Sequence, residues 1–179
     1  MRHCERDIDN CSFESELTKI GHINAQELSN VMKEKNIDTI YSSPFIRTIQ
    51  TSSYYSNEMN IPVNIDYSIA EFVAFNDKHK MYSKNNYKIY DSWKQNYNLE
   101  YNMLKDDYNV NDSENDCILR VSVFLYNIIN KYKNTDKNIL IVTHMSIVNV
   151  ILGIHNKKIY DKNFNIDKPY AMGLITELK

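Results

Sequence analysis

The sequence predicts an α/β fold, with a mainly parallel sheet flanked by helices. Three observations lead there. Apolar residues recur at helical spacing in two separated stretches, around Ala25–Met32 and Cys117–Lys131. The near-continuous apolar run Asn138–Thr143 has the character of a parallel strand buried on both faces. Strand-like and helix-like segments also alternate along the chain instead of clustering by type.

Taken in order, Ile23–Lys35 reads as an amphipathic helix carrying Ala25, Leu28, Val31 and Met32 on one face and ending at Asn36. Asp38–Tyr41 is a short strand. Ser43-Pro44 follows; serine caps helices and proline suits the first helical position, so Phe45 to about Glu58 is the next helix. Met59–Pro62 breaks it, and Val63–Ile65 is a short strand. Cys117–Lys131 is a helix with Ile118, Val121, Phe124, Leu125 and Ile128 on one face. Asn138–Thr143 is the buried strand, Met145–Ile154 a helix ending near Gly153, and Gly173–Leu178 a last strand. The stretch 76–115 is rich in Tyr, Asn, Lys and Asp around Trp93. It reads either as an excursion over the active edge of the sheet or as a surface insertion without substrate contact.

At 179 residues the chain suits one domain, 1–179, with room for a substantial core. A net charge of -2 provides no global attraction for nucleic acid, so an anion site has to be built locally. No apolar run approaches the roughly 20 residues a membrane-spanning helix needs. Cys4, Cys11 and Cys117 are odd in number and widely spaced, which fits reduced thiols in the cytoplasm better than a disulfide framework.

Three stretches carry chemistry: MRHCER at Met1–Arg6, SSPFIRTIQT at Ser42–Thr51 and ILIVTHMS at Ile139–Ser146. A phosphate monoester dianion repels nucleophiles until fixed cations neutralise its oxygens, and the planar fork of arginine does this best. Arg2, Arg6 and Arg47 are the candidates, Arg47 one turn after a helix start whose free N–H groups also favour anions. Taken alone, Arg47 also fits a surface helix arginine. His3 is the candidate nucleophile, one ring nitrogen attacking while the other is held by an acceptor; alternatively it is an incidental terminal histidine. His144, at the mouth of a buried strand, is either a core histidine or a donor to a transferring phosphoryl oxygen. Both Ser43 and His144 fall at carboxyl ends of strands, where α/β sheets gather their sites.

These stretches resemble the histidine phosphatase, or phosphoglycerate mutase-like, superfamily. Five motifs stand in the family's order: RHCE, LTKIGHINA, SSPFIRTIQT, IAEF and VTHMS. The RHCERD start and AEF are most similar to the branch holding the ubiquitin-associated and SH3 domain-containing phosphatases and the ecdysteroid-phosphate phosphatases. The resemblance implies a three-layer α/β/α fold and a phosphatase that needs no metal or other cofactor. It implies His3 as the residue transiently phosphorylated, with Arg2, Arg6, Arg47 and His144 forming the phosphate pocket. Glu71 would be the proton donor to the leaving group and then the activator of water. The implied partner is a phosphorylated small molecule or phosphoprotein, with no nucleic acid and no membrane.

The chain departs from the family pattern in places. Cys4 replaces a glycine and sets a thiol near cations, which favours thiolate and oxidation. Asn24 and Met145 replace a glutamine and a small residue. Only Met1 precedes Arg2, where the family has a central strand. The expectation is therefore either a start that lies upstream of Met1 or, with the sequence as it stands, a sheet lacking that strand, open edges in its middle, and His3 on an untethered terminus. Nearby arginines would also lower the Glu71 pKa, whereas a general acid needs a raised one. Other readings are a catalytically impaired phosphate-binding module, a mutase-type phosphoryl transfer, and a zinc site drawn from His3, Cys4, Cys11, His22 and Cys117, whose spacing matches no common zinc pattern.

Overall fold

The structure, a computed structural model, describes residues 1–7, 15–72, 101–105 (as backbone) and 112–178. Thr18 starts helix α1 (Lys19–Glu34): its backbone is extended and its hydroxyl accepts from Gly21 N at 3.0 Å. The helix thus begins at Lys19 and not at Ile23. The apolar pattern misled because Ile20 and Ile23 are each 57% exposed, while the buried stripe is Gly21, Ala25, Ser29 and Met32. Strand β1 (Ile37–Ser42) leads into α2 (Ile46–Met59), which stops at Asn60 in the left-handed region (φ 53°). Strand β2 (Val63–Asp66) runs into a 3-10 turn, Tyr67–Ile69. Strand β3 (Tyr101–Lys105) follows, then α3 (Glu114–Tyr132), β4 (Asn138–Val142) and α4 (Met145–His155). Helix α3 begins at Glu114 instead of Cys117 because Ser113 and Asp116 form a reciprocal capping box.

The four strands are parallel in the order β3-β2-β1-β4. Helices α1 and α2 cover one face through Met32, Ile49 and Tyr55 against Ile40, Val63, Ile65 and Val142. Helices α3 and α4 cover the other through Val121, Phe124, Ile147 and Val150 against Tyr41. Neighbours Ile40 and Tyr41 face opposite layers, as strand pleating requires, so the three-layer arrangement follows from alternation within β1. Among the described residues no helix is long and apolar enough to cross a membrane.

The expected absence of the first strand holds among the described residues: Met1–His3 makes only a bridge to the carboxyl end of β4 on the side away from β1. Met1 N donates to Ile141 O at 2.8 Å, Thr143 N to Met1 O at 3.0 Å, and His3 N to Thr143 O at 2.9 Å. His3 is therefore tethered and 1% exposed, not loose. The expected strand at Gly173–Leu178 does not form. Gly173 turns the backbone at φ 72°, and beyond the Arg2 N bond to Leu174 O and the Gly173 N bonds to Arg2 O and His3 O no ladder develops. Helix α4 ends at His155, one residue past the expected Ile154, and Gly153 in its last turn leaves room for the Phe164 ring, whose Cε2 a Cβ would meet at 2.6 Å. The Tyr-rich stretch 76–115 falls mostly outside the described residues; its described parts extend the sheet as β3 and begin α3.

Candidate active site

Four chain segments converge at the carboxyl ends of β1 and β4. His3 comes from the edge segment, Ser43 from the β1–α2 connection and Arg47 from the first turn of α2 that follows it, His144 from the last step of β4 into α4, and Glu71 from the loop after the 3-10 turn. Two hydrogen bonds fix that loop. Thr143 Oγ1 donates to Ile69 O at 2.7 Å, and Arg120 Nη1, whose Nε is paired with Asp112 at 2.5 Å, donates to Ser68 O at 2.7 Å.

The rings of His3 and His144 stand 5.3 Å apart, centroid to centroid, at 62°. His3 Nδ1 lies 2.7 Å from Cys4 O, so it is the protonated nitrogen, and the lone pair is left on Nε2. His144 Nδ1 lies 3.2 Å from Glu71 Oε2, and its Nε2 lies 2.7 Å from Ser43 Oγ. Arg47, 1% exposed, approaches the same carboxylate oxygen at 3.7 Å and His144 Nδ1 at 3.4 Å. The Phe45 ring packs against both His144, at 4.7 Å, and the Arg47 guanidinium, at 4.4 Å, and walls the cluster with apolar surface. Arg2 donates from Nη1 to Tyr170 O, and its buried Nε has no partner among the described residues.

Burial sets the protonation states. It pushes His3 well below the ordinary histidine value, and the cations Arg47 and Arg2 and the neighbouring His144 add to the effect. Burial likewise takes His144 down to about 4, against the pull of Glu71. Both imidazoles are thus neutral near pH 7, as a nucleophile and a neutral donor require. Glu71 is the opposite case: burial pushes its pKa up, but the hydrogen bond from His144 with the charges of Arg47 and Arg2 outweighs that, and it is held below the usual carboxylate range. The expected tension is real: at rest Glu71 is a carboxylate occupying the cationic pocket.

Of the sequence-derived site residues, His3, Arg47, Glu71 and His144 come together, and the charge of Arg2 reaches Glu71 and both histidines. Arg6 stands further out: Nη1 donates to Asp7 O at 2.6 Å, and its charge is felt at Arg2. The expectation for Cys4 is corrected. The thiol is fully buried against Leu17 and Ala25, and desolvation pushes it up to about 11, away from thiolate. The zinc set is dispersed, with His22 on Tyr54 at 3.0 Å and Cys117 on the buried face of α3; Cys11 lies outside the described residues. A cavity of about 350 Å³ lined by Tyr41, Asp66, Ser68, Phe124 and Lys131, among others, contains none of the site residues.

Sequence reasoning overlooked the residues that hold this geometry. Ser43 does not cap α2, whose N-cap is Phe45 without a side-chain bond; its hydroxyl faces His144 instead. Gln50 accepts from Leu17 N at 2.7 Å, and Thr51 accepts from Cys4 N at 3.0 Å, tying α2 to the segment that carries His3. Thr18 donates to Glu5 Oε1 at 2.7 Å, and Gly21 leaves space for Glu5 O, which a Cβ would meet at 2.0 Å. The signal was present in the spacing of LTKIG and RTIQT, but these side chains act through backbone partners distant in sequence.

Comparison with known proteins fits this arrangement. The family model for the histidine phosphatase superfamily (branch 1) matches residues 1–168. No curated protein matches the chain by sequence. Among solved structures, the ecdysone phosphate phosphatase of Bombix mori in complex with tungstate superposes with a TM-score of 0.69 at 14% identity, covering 99% of this chain and 83% of that one. The α-ribazole phosphatase of Shigella flexneri gives 0.61 at 19% identity, covering 87% and 77%. A mycobacterial glucosyl-3-phosphoglycerate phosphatase gives 0.60 at 16%, covering 87% and 77%. With the fold shared and the family model matched over nearly its whole length, the chain belongs to the histidine phosphatase superfamily, branch 1.

Proposed function

We propose that this chain is a metal-independent phosphomonoesterase that works, as a single domain, through a phosphohistidine on His3. The observation that carries this reading is the approach of two neutral imidazoles, 5.3 Å apart, beside Arg47 and Glu71, with the His3 proton held on Nδ1 by Cys4 O. The relatives of similar fold are named as phosphatases of phosphate esters, and one carries tungstate, a tetrahedral oxyanion like phosphate.

The chemistry runs in two displacements. His3 Nε2 attacks phosphorus, the bond from phosphorus to the ester oxygen breaks, and Glu71, once protonated, gives its proton to the departing oxygen. The positive charge left on the His3 ring is eased by the hydrogen bond from Nδ1 to Cys4 O. Water then attacks phosphorus, Glu71 takes its proton, the N–P bond breaks, and inorganic phosphate leaves with His3 Nε2 restored. Arg2, Arg47 and the Nδ1–H of His144 hold the equatorial oxygens as charge spreads over them; Arg6 adds long-range positive charge. Substrates are aryl or small-molecule phosphates, phosphotyrosine included. The buried, unpaired thiols of Cys4 and Cys117 suit a reducing, cytoplasmic setting.

The deciding experiment is hydrolysis of an aryl phosphate with and without EDTA, by wild type and His3→Ala. The expected result is EDTA-resistant turnover lost in the variant, and label from a 32P substrate trapped on wild type as an acid-labile, base-stable adduct. Turnover that survives His3→Ala, or dies with EDTA, overturns the reading.

A further inference from the structure

We propose that Ser43 is a positioning residue for the second imidazole: its hydroxyl donates to His144 Nε2 and so keeps the His144 proton on Nδ1, the nitrogen facing the anion pocket. This role rests on the phosphoryl-transfer chemistry above and adds the group that sets the orientation of its donor.

Two contacts bear on His144 Nδ1: Glu71 Oε2 at 3.2 Å, which calls for a proton there, and Arg47 Nη2 at 3.4 Å, which can only donate. The shorter contact, to a carboxylate, outweighs the longer one, so the proton is set on Nδ1. A neutral imidazole then has a bare Nε2, and a buried acceptor without a donor costs about 1–3 kcal/mol. Ser43 Oγ, 2.7 Å away and fully buried like His144, is the donor. The serine is itself pinned. Its N–H donates to Val142 O at 3.0 Å, and its carbonyl accepts from Thr48 Oγ1 at 2.8 Å and from Ser42 Oγ at 2.9 Å. It therefore bridges the ends of β1 and β4 and cannot follow the imidazole if the ring turns. The opposite tautomer would present a lone pair to a phosphoryl oxygen, repelling the charge it should stabilise. Burial supports the same state by keeping His144 neutral.

The charged and titratable groups facing His144 are Glu71 from the loop, Arg47 from α2, and Arg2 and His3 from the edge segment. None of them can supply a proton to Nε2, because Ser43 occupies that side.

The test is 15N nuclear magnetic resonance of the histidine rings in wild type, Ser43→Ala and Ser43→Cys, the last retaining volume with a weak donor. Wild type should show His144 protonated at Nδ1 and bare at Nε2. Losing the donor to Nε2 makes that lone pair more basic. In Ser43→Ala the His144 titration should therefore move to higher pH, the ring should sample both tautomers, and kcat on an aryl phosphate should fall roughly 10- to 100-fold with KM within about threefold. Ser43→Cys should lie between. Wild-type His144 protonated at Nε2, or an unchanged tautomer and titration in folded Ser43→Ala, overturns the role. The ring spectra need no turnover, so an enzyme inactive on phosphomonoesters refutes the reaction assigned above while Ser43 is still judged by the tautomer.

Discussion

Replacing Glu71 by Gln should tighten anion binding while it impairs catalysis, the reverse of what losing an ordinary ligand residue does. Glu71 Oε2 lies 3.7 Å from Arg47 and 3.2 Å from His144 Nδ1, the place the proposed mechanism gives to an incoming oxyanion. Coulomb's law at an effective dielectric of about 20 gives about 4 kcal/mol for the pair with Arg47. The carboxylate is 21% exposed, so screening leaves roughly 1–2 kcal/mol to be lost when the ligand displaces it. Glu71→Gln should therefore bind tungstate about 5- to 30-fold more tightly. Turnover of an alkyl phosphate should drop about 10²- to 10⁴-fold, the ordinary contribution of a general acid. An aryl phosphate, whose phenolate leaves with a pKa of about 10, should suffer less. Calorimetry at pH 7 in buffers of different ionisation enthalpy supplies the second readout: wild type should take up a proton as tungstate binds, and the variant should not. Weaker tungstate binding by Glu71→Gln, or equal proton uptake in both proteins, refutes the reasoning.

Three further outcomes follow from the same geometry. Gly21→Ala should cost about 3 kcal/mol or more and lower kcat, because its Cβ would fall 2.0 Å from the backbone Glu5 O and push α1 off the segment carrying His3; a denaturant midpoint within experimental error of wild type would contradict this. Cys4→Gly should cost about 1–2 kcal/mol in lost burial and chain entropy yet keep kcat within about threefold, and the native Cys4 thiol should resist alkylation until the protein unfolds. Stability should fall as pH drops from about 6.5 towards 4: the folded His144 has its pKa near 4, so in that window the unfolded chain binds a proton the folded one refuses, a loss of about 2 kcal/mol by pH 5 and about 3 kcal/mol by pH 4, measurable as urea midpoints at pH 7, 6, 5 and 4.

The sheet and its order of helices were legible because packing on two faces leaves a mark in composition: Leu140 and Val142 meet one helix layer and Ile139 and Ile141 the other, although β4 ends the strand order. Helix starts were misplaced where side chains, not apolar spacing, define them, as with Thr18 and the Ser113–Asp116 pair. His3 was readable as a candidate nucleophile, yet its anchoring was not. Backbone bonds from Met1–His3 to Ile141 and Thr143 depend on no side-chain pattern, and so leave no trace in the sequence. Ser43 was misread for a related reason. A serine before a proline looks like a cap, and only the position of His144, 101 residues later, shows that the hydroxyl is engaged elsewhere.

Charge counting links these parts. With both imidazoles neutral, the inner cluster at rest holds Arg2 and Arg47 against one carboxylate, Glu71. A phosphodiester monoanion would balance the two arginines while Glu71 stays ionised, and would find no acid for its leaving group. A phosphomonoester dianion overfills the site unless Glu71 accepts a proton; once it does, the charges cancel and the carboxyl is ready to donate. The dianion also removes the cations' hold on Glu71, which is what kept its pKa low. Low resting pKa and acid function are therefore compatible, because the substrate that needs the proton is the one that loads it. On the proposed mechanism a preference for monoesters over diesters follows from this loading of Glu71, and Glu71→Gln should narrow it in turnover because the amide delivers no proton, even though it binds the dianion more tightly.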